Sequence, residues 1–161
     1  MVQSIVRRVF SQKAQKSYSA EPRQAAQNTL SGAPLPPPGK PMPDFTAVFG
    51  ELHEILDPYA AMLDIKKDDQ SEFYVDTRHI QKNQRPLFFA AVQLKKSYVS
   101  FHLMPIYMKP ELLASISPEL KSHMQGKSCF NFSTVEPTLL DELAALTKAG
   151  FASYEEQGFV T

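Results

Sequence analysis

Tryptophan is absent from the 161 residues, and cysteine occurs once, at Cys129. A single thiol excludes an intramolecular disulfide and any multi-cysteine metal centre, and it fits a reducing compartment. No apolar run approaches the roughly 20 residues that cross a bilayer, so the sequence reads as soluble and cytoplasmic, with no membrane partner. Acid is almost missing from the first 43 residues. There Glu21 stands alone against Arg7, Arg8, Lys13, Lys16, Arg23 and Lys40, while the remainder holds eleven basic and sixteen acidic residues. An overall neutral charge therefore conceals a basic tail joined to an acidic domain. Such a domain is a poor partner for nucleic acid, whose phosphates call for a basic surface.

Proline marks the same boundary, since seven of the thirteen precede Asp44. Residues 1–43 are expected to be a disordered, basic, proline-rich tail, because Ser, Gln, Ala and Pro bury too little apolar surface to offset their ordering entropy. Val2, Ile5, Val6, Val9 and Phe10 nevertheless fall at helical spacing beside Arg7 and Arg8. That pattern fits a presequence directing the chain to an organelle matrix; a tail with a nascent helix is the plainer reading.

Residues 44–161 are expected to form one α+β domain with a small antiparallel sheet covered by helices. Asp44 is placed to cap a helix carrying the stripe Phe45, Val48, Phe49, Leu52 and Leu56, and Asp57-Pro58 restarts a helical turn. Residues 64–72 read as a polar loop or solvated helix end, Glu72–Thr77 as a short strand, and His79–Arg85 as a connection. Leu87–Val92 is apolar at every position, as in an inner strand covered on both faces. Ser97–Leu103 alternates, with Val99, Phe101 and Leu103 toward the core and Tyr98, Ser100 and His102 on the other face. Pro110 and Ser117-Pro118 open two short helices, the second ending at Gly126. Lys127–Phe132 reads as an extended edge segment, and the last helix runs from Pro137 to Gly150.

Three motif fragments fail on spacing. Gly126-Lys127-Ser128 resembles the end of a phosphate-binding loop, but Lys121 stands where its first glycine is required. His53-Glu54 begins like a zinc-protease helix, yet Asp57 occupies the second histidine position. Asp64, Asp68, Asp69, Glu72 and Asp76 lack the glycine and alternation of a calcium loop. Asp68, Asp69 and Glu72 remain candidate metal ligands, although Lys66 and Lys67 among them make a solvated loop the plainer reading. Cys129 meets His102 if Lys127–Phe132 pairs beside the alternating strand, which would permit thiol catalysis; a small buried hydrophobe is the simpler assignment. Tyr98, His102, Tyr107, Lys127 and Asn131 are polar groups on aromatic-rich elements and are candidates to line a small ligand pocket.

The run Phe89-Ala90-Ala91, then Lys95-Lys96, Tyr98-Val99-Ser100-Phe101-His102-Leu103 and the closing Met104-Pro105, resembles the YdhG-like family. This is a domain of unknown function that includes a frataxin-like iron chaperone. Gly126-Lys127-Ser128 with Phe130 and Phe132, followed by Pro137 and a leucine-rich helix, resembles that family's closing segment. The likeness extends over roughly residues 45–150. It implies an α+β scaffold, no established catalytic residues and iron as a possible ligand. Ser71–Arg85 departs from the family pattern in having no glycine, and the tail is extra. The expectation is a non-enzymatic module that binds a small ligand or, weakly, a metal ion. The alternatives are recruitment of a protein through the tail or an aromatic surface, or a cysteine-dependent enzyme.

Overall fold

The apolar stripe after Pro43 becomes a helix because Asp44 supplies its cap: Asp44 Oδ1 accepts from the backbone N–H groups of Thr46 and Ala47 at 3.1 and 3.2 Å. A computed structural model describes residues 44–160, so the readings made on the first 43 residues lie outside the described part. In chain order run α1 (Phe45–Glu54), α2 (Asp57–Ala60), β1 (Asp64–Asp68), β2 (Glu72–Ile80), β3 (Pro86–Leu94) and β4 (Val99–Leu103). There follow α3 (Met104–Met108), a 3-10 segment (Pro110–Ser115), α4 (Pro118–Ser122), β5 (Met124–Gln125), β6 (Cys129–Phe132) and α5 (Pro137–Glu156). The fold is α+β, with a six-stranded antiparallel sheet in the order β1-β2-β3-β4-β6-β5.

One sheet face presents Phe73, Val75, Val92, Phe101, Phe130 and Phe132, all buried, to the stripes of α1 and α5. Removing this much aliphatic and aromatic surface from water supplies the main drive for folding. Phe89 sits under α5, making edge-on contacts with Phe151 and Tyr154 at centroid distances of 5.6 and 5.7 Å. The buried Tyr154 hydroxyl donates to the Phe88 carbonyl at 3.1 Å, and burial pushes its pKa up.

Several boundaries differ from the sequence reading. The polar stretch after Leu63 is the edge strand β1, paired with β2 rather than looping. Its charges do not oppose this, because an edge strand needs only backbone partners on one side and exposed lysines guard the other. Asp69 then makes the turn: its Oδ1 accepts from Ser71 N, Ser71 Oγ and Glu72 N at 2.7–2.8 Å, as aspartate does in tight turns. Strand β2 continues to Ile80, with irregular pairing beyond Val75.

Lys127–Phe132 is not the edge, since β6 lies between β4 and the two-residue β5. Gly126 ends no helix. With φ of +74° it turns the chain between β5 and β6, a conformation glycine adopts without strain. Gly150 does not end α5 either. A Cβ there would lie 2.9 Å from Pro105 Cβ, so glycine permits α5 to cross closely over α3. The helix ends at Glu156, near Gly158 with φ of +74°.

Candidate ligand-binding cleft

The second face of the sheet collects polar side chains through register. Glu72, Gln93, Ser100 and Asn131 are successive cross-strand partners, and Tyr74, Ala91, His102 and Cys129 form the next row. Cys129 and His102 therefore meet, as the pairing of β4 with β6 requires. Ser100 Oγ lies 2.9 Å from His102 Nε2 and 3.0 Å from Cys129 Sγ, with 3.5 Å between sulfur and imidazole. Asn131 Oδ1 accepts a long contact from the thiol at 3.9 Å. Desolvation, reinforced by the Lys95 charge, holds His102 below its ordinary value of 6.5, so the ring is a neutral proton acceptor at pH 7. Tyr98 continues this face toward the hairpin, where its carbonyl accepts from Lys95 N at 2.9 Å.

Tyr107 and Lys127 belong elsewhere. Pro105 and Pro110 break the chain after β4 into α3 and the 3-10 segment, because proline lacks the N–H that a continuing helix needs. Ser117 starts α4 by accepting from Leu120 N at 3.0 Å. It is itself pinned to α5: its N–H and hydroxyl donate to the two Glu142 carboxylate oxygens at 2.8 and 2.7 Å. These short pieces leave a cleft of about 650 Å³ between them, larger than the groove of about 420 Å³ along α2 and α5. Ile106, Pro110, Leu113 and Met124 provide apolar lining, and Tyr107, Lys121 and Lys127 the polar groups. The Lys127 ammonium lies 5.7 Å from the Tyr107 ring centroid, within range of a cation–π contact.

The five pocket candidates thus divide. Tyr107 and Lys127 line the cleft, whereas Tyr98, His102 and Asn131 lie on the sheet face. Lys121, Leu113 and Met124 were not among them; the only signal was the recurrence of proline at 105, 110 and 118, which keeps each helical piece too short to close over its neighbours.

The acidic candidates are engaged by neighbours. Glu72 accepts from Lys67 at 2.7 Å and from Gln93 Nε2 at 2.6 Å, and these bonds, the Lys67 bond foremost, lower its pKa. Asp69 is held well below the usual carboxylate range, chiefly by its Ser71 hydrogen bonds. Asp68 lies 3.5 Å from His53, whose other ring nitrogen is 3.0 Å from Asp57. Among the described residues, no three His, Cys, Asp or Glu side chains gather as a metal site. Nor is any described helix long and apolar enough to cross a membrane.

No protein-family model, curated protein or solved structure matches the chain.

Proposed function

We propose that the protein is a non-enzymatic small-ligand-binding module whose site is the cleft between α3, the 3-10 segment and the α4–β6 connection. The supporting observation is the cleft itself. Its volume of about 650 Å³ falls within the usual range for small-molecule sites, about 300–1,000 Å³, and its apolar walls with a few convergent polar groups have the usual composition. The YdhG-like resemblance enters this proposal as a scaffold. Iron, which that resemblance carries, has no gathered ligand set among the described residues, so the organic ligand is the better-supported occupant.

Titration of the full chain with the neutral fluorophore N-phenyl-1-naphthylamine tests the reading. Saturable enhancement is expected, with its loss in Leu113→Asp/Met124→Asp while the far-UV circular dichroism is retained. Enhancement that is absent, or unchanged in that variant, removes the cleft as the site.

A second reading, docking of a protein, is favoured by Tyr107 and Met108, which are 53% and 44% exposed beside the cleft. Capture of a partner that survives Tyr107→Ala/Met108→Ala and is lost only on deletion of residues 1–43 would assign recruitment to the tail instead.

A further inference from the structure

The cleft reverses the sign of the domain around it. Beyond Pro43 acidic residues outnumber basic ones sixteen to eleven, yet no carboxylate lines this cavity and two lysines do. Lys121 comes from the last turn of α4 and Lys127 from the turn between β5 and β6, and among the described residues neither forms an ion pair. Among the described residues Lys66, Lys67 and Lys109 have an acidic partner, and Lys121 and Lys127 are two of the eight basic residues that do not. Among the described residues the cleft lining therefore holds two ammonium groups and no carboxylate, beside Ile106, Leu113 and Met124, which favour hydrocarbon.

The lining contains no arginine, so it lacks the planar fork that recognises phosphate bidentately. Lysine acts instead as a point charge on a flexible stem. That suits a single carboxylate at the mouth of an apolar slot.

We infer that the cleft takes a small apolar acid, a compact hydrocarbon body bearing one carboxylate, with Lys121 and Lys127 at the anionic end and the Tyr107 ring against the body. This inference rests on the ligand-binding reading above and narrows it to one ligand class. It also excludes cationic amphiphiles, which the two ammonium groups repel.

The test is calorimetric titration of the full chain with 2-naphthoate and with its neutral counterpart 2-naphthamide, at low salt and at 0.5 M sodium chloride. Each lysine is solvent-exposed, so each contact with the carboxylate is modest and salt-screened. The acid is expected to bind about fivefold tighter than the amide at low salt, a preference two such contacts supply. High salt and Lys121→Gln/Lys127→Gln should each erase that preference, read as the ratio of acid to amide affinity within each protein and salt condition. Equal affinity of acid and amide for the unaltered protein would overturn the inference but leave the cleft as a ligand site. A preference that persists in the double variant would also overturn it. Failure of both compounds to bind would remove the inference and the ligand-binding reading together.

Discussion

Replacing Asp76 by asparagine should stabilise the protein at neutral pH and do so progressively less in acid. Asp76 is 6% exposed in β2, and its Oδ1 has no hydrogen-bond partner. Burial raises its pKa above the ordinary 3.8; the nearby Lys66 charge opposes the shift and Asp64 adds to it. A raised carboxyl pKa means that this group's contribution to stability is fully present below pH 3.8. The contribution is lost as pH rises through the folded-state value. An unpartnered buried polar atom costs about 1–3 kcal/mol and more when it is charged; asparagine keeps the unpartnered atom but removes its charge, and Lys66 recovers part of the charge's cost for the carboxylate. Asp76→Asn is therefore expected to gain about 1 kcal/mol at pH 7.5, or about 4 °C in Tm for a domain of this size. Urea unfolding followed by far-UV circular dichroism at pH 4 and pH 7.5 measures both ends. A variant less stable than the parent at pH 7.5, or a difference that does not shrink toward pH 4, would refute the reasoning.

Other perturbations probe the packing that forms the cleft. Gly150→Ala removes a helix-interior glycine, a gain of up to about 1 kcal/mol, but drives a methyl group to 2.9 Å from Pro105; overpacking of this kind costs about 1–3 kcal/mol. Net destabilisation in thermal unfolding is expected, and a higher Tm would show that α3 yields freely. Glu142→Ala strips Ser117 of both acceptors and should cost about 1–3 kcal/mol, whereas an unchanged urea midpoint would mean that α4 is held by Leu120 alone. In an NMR titration the His102 ring should show a midpoint below 6.5. Because that pKa is depressed, its contribution to stability is present above pH 6.5 and lost as pH falls through the folded value. A midpoint at or above 6.5 would contradict its desolvated position.

The parts of the fold that could be read from sequence were those governed by local patterns. The alternation of Val99, Phe101 and Leu103 against Ser100 and His102 gave the two faces of β4, and the Asp44 cap gave the start of α1. Long-range terms decided the rest. Lys66, Lys67 and Asp68 resemble a loop until β2 offers a ladder, and Gly150 resembles a stop until α3 is seen crossing α5. Asp76 read as one more solvated acid because alternation alone does not reveal what lies over a strand. The site was half legible: Tyr107 and Lys127 stood out as polar groups among aromatics. Lys121, Leu113 and Met124 could join them only once the 3-10 segment, α4 and β5 had been placed in space.

The central claim is that a ligand enters the cleft beside α3 rather than contacting the sheet face. Amide chemical-shift perturbation in the full chain, titrated with 2-naphthoate, tests it most directly. Shifts concentrated at Ile106–Leu113 and Lys121–Lys127 are the predicted result; shifts centred on Ser100, His102 and Cys129, or none at saturating ligand, would contradict it.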